Sequence, residues 1–310
     1  MHLMIPHASA VGEAANHTLG ELNLPHLAQL LPLLAPSGPV LGSDEYSFNT
    51  PFELALAQLR GCQAADGCLA TAAWSLQERL AASTAWALLT PIHLSVGSDQ
   101  ITALPPQALA LTEAESRALF KSLSELWLDT EGWASQWLGP YQWLIAHPSL
   151  ADLRSASLER VLQRNVDIWM PEARRLRSLQ NEVQMLLHGH PLNEAREAAG
   201  ALPVNSVWIS GCGVNRGGPL PTDLQIEEAL REPLLAGDWQ AWSQAWVELD
   251  SGPVAALLAQ ARRGDAGPRL TLCGERHART WTLQPRPRLQ RFWQSMSTPR
   301  ADTAKTLGAL

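Results

Sequence analysis

The chain has 310 residues, enough for one large α/β domain or two ordinary ones with a substantial core, and it needs no disulfide or metal staple to fold. Its composition, 46% hydrophobic and 17% charged, is globular and excludes intrinsic disorder, while a net charge of −7 with no run of Lys or Arg argues against a nucleic-acid partner. The four cysteines (Cys62, Cys68, Cys212 and Cys273) form no C-x-x-C pair and read as reduced thiols; the opening MHLMIPHASAVGE is no signal peptide, and no stretch reaches the roughly 18 apolar residues of a membrane span, so a cytoplasmic protein is expected.

In chain order, HLMIPH reads as a short buried strand, and LPHLAQLLPLLA as a helix with Pro25 in its first turn. SGPVLGSDEYSFNT is loop-like in composition; PFELALAQLRG returns to a helical period ended by Gly61, and TAAWSLQERLAASTAWALL reads as a further helix. PIHLSVGSDQITAL alternates as a strand pair joined across Gly97, Ser98 and Asp99. Thr112 followed three residues later by Glu115 is a capping box opening a long helix, and DTEGWASQWLGPYQWLI then reads as a β meander. ASLERVLQR and RRLRSLQNEVQMLL are expected helices, the second with Leu176, Leu179, Val183 and Leu186 on one stripe, and Pro191 forces a break near His190. NEAREAAG is a helical turn stopped by Gly200, and NSVWIS is a strand entering the glycine turn GCGVNRGG. The C-terminal part gives a helical stretch interrupted near Pro233, a helix GPVAALLAQARRG, and an antiparallel pair around Gly274 to Ala278. Together these predict one α/β domain over residues 1–310, with a looser part at 220–310. Its mostly parallel sheet would be flanked by helices and carry antiparallel additions.

Thirteen tryptophans stand against four phenylalanines and two tyrosines. Each wants a partner for its indole N–H, and Trp127, Trp133, Trp137 and Trp143 are assigned to the core rather than to a ligand cage. The arginines Arg276, Arg279, Arg286, Arg288 and Arg291 read as a solvated face. His188 and His190 would converge on a metal only across the proline break, and helix-end bonding to main-chain groups competes with that role. Asn181, Gln184 and His188 form a polar stripe, soon followed by Asn193, Arg196 and Asn205; a structural amide network is favoured over a substrate site. The loop GCGVNRGG follows a strand but matches neither G-x-G-x-x-G nor the P-loop, and Cys212 within it reads as a small core thiol rather than a nucleophile.

The stretches LQNEVQMLLHGHPLNEAREAAGALPVNSVWISGCG, LTPIHLSVGSDQITALPPQALALTEAESRAL, MHLMIPHAS and LPHLAQLL resemble a bacterial family of RpfE-type regulatory proteins that also carries a phosphoglycerate mutase label. The resemblance runs from the N-terminus to about Gly213. The block HPLNEAREAAGALPVNSVWISGCG is similar to a segment of the archaeal-type cofactor-independent phosphoglycerate mutases, where HPxN, an Arg and a PANxxWxxGxG-like strand and loop recur. That resemblance implies an alkaline-phosphatase-like α/β fold with two divalent metals and a Ser or Thr nucleophile. The chain departs from this pattern: Pro6 and His7 stand where a ligating Asp-Gly is expected, no Asp-His-Gly occurs, and the one Asp-Gly, Asp66 and Gly67, follows a helix.

The resulting expectation is a mutase-like protein without the metal site, acting as a regulatory or binding protein. Asn193, Arg196, Asn205 and Gly213 are its candidate anion pocket, with a protein or a small phosphorylated molecule as partner and no cofactor. The alternative is an active phosphomutase or phosphatase, of the 2,3-bisphosphoglycerate-independent phosphoglycerate mutase type, holding Mn²⁺ or Zn²⁺ through His7, His93, His188 and His190.

Overall fold

The apolar run His2–Ile5 is buried at every position and forms the strand around which half of the chain is organised. A computed structural model describes residues 1–76, 84–264, 267–283 and 300–310. In chain order its elements begin β1 (His2–Ile5), α1 (Glu13–Glu21), α2 (Pro25–Leu30), β2 (Leu34–Gly42), α3 (Pro51–Leu59), β3 (Trp86–Ile92), β4 (Leu94–Val96) and β5 (Ile101–Ala103). There follow α4 (Glu113–Ser122), β6 (Ala134–Gly139), β7 (Gln142–Ala146), α5 (Leu158–Val161), α6 (Arg174–Leu187), α7 (Pro191–Ala198) and β8 (Ser206–Gly213). The chain closes with β9 (Leu224–Ile226), α8 (Arg231–Ala236), α9 (Trp239–Leu249), α10 (Ala255–Arg263), β10 (Arg269–Cys273), β11 (His277–Leu283) and α11 (Thr303–Gly308). Two compact units result: Met1–Glu45 with Thr50–Arg60 and Pro219–Leu310, and Tyr46–Asn49 with Gly61–Gly218.

The first unit holds a five-stranded sheet in the order β2-β11-β10-β1-β9. Strand β1 runs parallel to β10 and to β9, whereas β10 with β11 and β11 with β2 are antiparallel. The sheet is therefore mixed and not mostly parallel as expected, because short connections such as Gly274 to Arg276 fold successive strands back on one another. Leu3, Ile5, Leu27, Leu30, Trp242, Trp246 and Leu270 fill its core. Asp250, 2% exposed, accepts from the N–H groups of His26 (3.1 Å) and Leu27 (2.8 Å), anchoring the first turn of α2. The segment Ser37–Gly42, expected as loop, belongs to β2. Its position at the sheet edge lets Pro36 and Pro39 lack an N–H without breaking a ladder on both sides. Pro233 sits in the first turn of α8, where it is tolerated, and the interruption expected there falls instead at Gly237, with φ of +69°.

The second unit is built on a four-stranded antiparallel sheet, β6-β7-β3-β8, beside the hairpin β4-β5. The helix expected over residues 71–89 is instead a 3-10 turn at Thr71–Ser75 and a strand from Trp86; residues 77–83 lie outside the described residues. ASLERVLQR forms only the four-residue α5. Trp137 and Trp143 lie opposite each other across β6 and β7, and both indole N–H groups donate to the Ser116 hydroxyl at 2.9 Å, which in turn donates to Pro140 O at 2.9 Å. Trp127, Trp133 and Trp143 are buried, as their assignment to the core requires. No described helix is long and apolar enough to cross a membrane. Of the C-terminal arginines, Arg286, Arg288 and Arg291 lie outside the described residues.

Candidate functional site

The block HPLNEAREAAGALPVNSVWISGCG, residues 190–213, occupies α7 and β8 of the second unit and follows directly on α6. Helix α6 buries Leu176, Leu179, Gln180, Val183 and Leu187 and ends at His188; Gly189 then turns the chain at φ of +72°. His190 caps the next helix, its Nδ1 accepting from Leu192 N–H at 3.2 Å, and Pro191 takes the first helical position where its missing N–H costs nothing.

This helix–turn–helix delivers Asn193 and Arg196 to the interior, each 5% exposed. The Asn193 amide donates to Leu187 O (3.0 Å) and Val204 O (2.8 Å) and accepts from Val204 N–H (2.9 Å). It closes the end of α6 and fixes the chain entering β8. Arg196 donates from Nε to Leu202 O (2.9 Å), from one terminal nitrogen to Glu115 (2.6 Å), and from the other to Leu109 O. Asn205 holds both main-chain groups of Leu94, accepting its N–H at 2.7 Å and donating to its O at 2.9 Å. His93 places Nδ1 2.9 Å from Pro203 O.

Glu115 has two tasks that sequence showed only in part. Its carboxylate accepts from Thr112 N–H (2.9 Å) and hydroxyl (2.6 Å), completing the capping box of α4, and it receives Arg196 from 81 residues away. Burial, the largest single influence, raises its pKa, but the hydrogen bonds from Thr112 and Arg196 and the Arg196 charge together outweigh it and hold the group below its ordinary value. The sequence signalled the cap; nothing local signalled the arginine.

Gly213 stands apart from these residues. The eight-residue strand β8, buried throughout, carries Asn205 before its first residue and Gly213 at its last, a separation of about 26 Å at the usual strand rise. The four candidate anion-binding positions therefore do not line one pocket. Gly213, Asn215 and Arg216 instead border a cavity of about 290 Å³ with Cys62, Cys68 and Asp152. The glycine turn expected from Gly211 is part of β8. There the register with β3 shifts, Gly211 adopts φ of +65°, and a side chain would strike Thr71 Oγ1 and the main chain of Ala72. Cys212 is fully buried and its thiol is pushed up to about 12 by that burial, which disfavours the thiolate a nucleophile needs.

Of the candidate metal histidines, His7 belongs to the first unit and His93, His188 and His190 to the second. His188 lies exposed at the end of α6, on a groove it shares with Leu94, Val96, Asn181, Gln184 and Met185. Gln184 donates to the Ser206 hydroxyl at 3.0 Å, so the polar stripe of α6 turns partly toward β8. Among the described residues no group of three or more His, Cys, Asp or Glu stands close enough together to hold a metal ion.

No protein-family model matches the chain, and no curated protein matches its sequence. Solved structures with some likeness include a cofactor-independent phosphoglycerate mutase from Thermoplasma acidophilum, 14% identical with a TM-score of 0.33, covering 90% of this chain and 88% of that one. Another is the PH0037 protein from Pyrococcus horikoshii, 10% identical with a TM-score of 0.48, covering 98% of this chain and 92% of that one.

Proposed function

We propose that this chain is a phosphoglycerate-mutase-like protein that works by binding, as a regulatory or scaffold protein of the cytoplasm, rather than by phosphoryl transfer. The observation that supports this reading is the commitment of Asn193, Arg196 and Asn205 to the fold. Every side-chain bond they make within the described residues goes to a main-chain group or to Glu115. A phosphate drawing on Arg196 would strip donors from the carbonyls of Leu109 and Leu202, and each buried acceptor left unpaired costs about 1–3 kcal/mol. Those groups are engaged in holding α7 against α4 and the entry to β8.

The test is a coupled assay of 3-phosphoglycerate conversion with the full chain loaded with Mn²⁺ or Zn²⁺, run beside thermal unfolding of the wild type and Arg196→Ala. The expected result is no metal-dependent turnover and a lowered melting temperature in the variant. Turnover that Arg196→Ala abolishes while melting stays unchanged would overturn the reading in favour of a phosphomutase.

A small phosphorylated ligand is the second reading, favoured by the cavity at Gly213, which Asn215 and Arg216 also line. Calorimetric titration with 3-phosphoglycerate should then show binding that Arg216→Ala weakens.

A further inference from the structure

The hairpin β4-β5 leaves one side of β4 open. Leu104 N–H donates to His93 O at 3.0 Å and Gly97 N–H to Gln100 O at 2.9 Å, so residues 93, 95 and 97 carry the bonds across the hairpin. Leu94 and Val96 turn their own N–H and C=O the other way. Asn205 satisfies both groups of Leu94, making with its side chain the two bonds that a neighbouring strand would make. Two residues on, the N–H and C=O of Val96 meet no partner among the described residues, and Val96 is 78% exposed.

Against this hairpin lies a groove of about 740 Å³ lined by Leu94, Val96 and, from β5, Ile101, together with Asn205, and on the α6 side by Asn181, Gln184, Met185 and His188. Met185 is 76% exposed, and no carboxylate, lysine or arginine lines the groove although the chain carries a net charge of −7. Protected edges end in charges, prolines or a covering element. β4 relies only on its shortness, three residues, and at Val96 no charge or proline intervenes.

We infer that this groove takes an uncharged, extended peptide segment of a partner protein, added as a strand to the open edge of β4. The edge selects an extended chain, because its free donor and acceptor face outward as a pair that a strand matches and a helix, already bonded within itself, does not. Asn181 offers a neutral amide, the group best suited to bonding further peptide units, as Asn205 already does for Leu94. Val96 and Met185 offer apolar contact to side chains at alternate positions. A charged segment would leave water without finding an opposite charge in the groove, which disfavours it. The inference rests on the reading of the chain as a binding protein and names the kind of partner.

The test uses the full chain and a fluorescein-labelled, end-capped pentapeptide of alternating valine and threonine, followed by fluorescence anisotropy. The wild type should bind it saturably. Methylating the central peptide nitrogen of the probe, Val96→Pro and Met185→Asp should each weaken binding about tenfold. Val96→Pro removes only an outward donor, and Met185→Asp alters an exposed side chain, so both variants should melt near the wild type. Absence of saturable binding up to about 1 mM, or equal binding by the wild type and both variants, would overturn the inference. So would dimerisation of the wild type, seen by sedimentation and lost in Met185→Asp, since the occupant would then be a second copy of this chain. If the probe fails and no 3-phosphoglycerate turnover is found, only the groove is wrong; metal-dependent turnover would remove the underlying reading itself.

Discussion

Replacing Arg196 with alanine tests the site most directly, and its size can be worked from the contacts. The guanidinium, 5% exposed, loses two main-chain acceptors, Leu202 O and Leu109 O, and the carboxylate of Glu115. Hydrogen bonds to a charged group contribute about 1.5–3 kcal/mol each, which assigns at least about 3 kcal/mol to the two carbonyls. Glu115 retains 26% exposure and can turn to water, so its share is discounted to about 1 kcal/mol. Arg196→Ala should then cost about 4 kcal/mol, or roughly 10 °C in melting temperature for a unit of this size. Arg196→Lys keeps the charge without the planar fork and should recover less than half of that. The assay is urea unfolding with calorimetry, extended to a double-mutant cycle with Glu115→Gln. Because Glu115 titrates lower in the fold than when unfolded, its stabilisation is present above the unfolded value and is lost as pH falls through the folded one. In Arg196→Ala that acid-side loss should shrink. A cost below about 1 kcal/mol would refute the reasoning, because the guanidinium would then be free to serve an anion.

His2 is buried with its Nε2 2.8 Å from Thr271 Oγ1, and burial, aided by Arg269, lowers its pKa from 6.5 to about 4. Unfolding lets it take up a proton more readily, so stability is full above pH 6.5 and falls by about 3 kcal/mol as pH drops to 4. His2→Gln should flatten that slope in urea midpoints measured from pH 7.5 to 4.5. Cys212 and Cys273 are fully buried with raised thiol pKa values, so iodoacetamide should leave both unmodified until the chain unfolds, as peptide mass mapping would show. Gly211→Ala should destabilise by about 3 kcal/mol, from a left-handed backbone and a collision with Thr71 and Ala72; melting within 1 °C of wild type would contradict the strand assignment.

Locally encoded features were legible in the sequence. The Thr112–Glu115 capping box, the Leu176–Leu179–Val183 face of α6 and the need of Trp137 and Trp143 for a polar partner each follow from residues within one or two turns or one hairpin. What hid were features set by distant partners. Trp86–Leu89 is rich in Ala and Leu and reads as helix, yet it is a central strand because β8, more than a hundred residues later, pairs with it. Pro39 reads as loop until β11 is known to lie on only one side of β2. The sequence marked Asn193, Arg196 and Asn205 as a candidate anion pocket together with Gly213. It could not show that the intervening strand carries Gly213 to the far end, or that Leu109 and Glu115 would receive the arginine.

The placement of β1 bears on the order in which the chain acquires structure. Its neighbours are β9 and β10, with Leu3 opposite Gln225 and Leu270, so no partner for it exists until more than two hundred further residues have been made. The unit enclosed between, from Gly61 to Gly218, draws only Tyr46–Asn49 from outside that span and can complete its sheet from β3, β6, β7 and β8 well before then. During synthesis this inserted unit should therefore become protease-resistant first, while the apolar N-terminal strand waits unpaired and depends on shielding from aggregation.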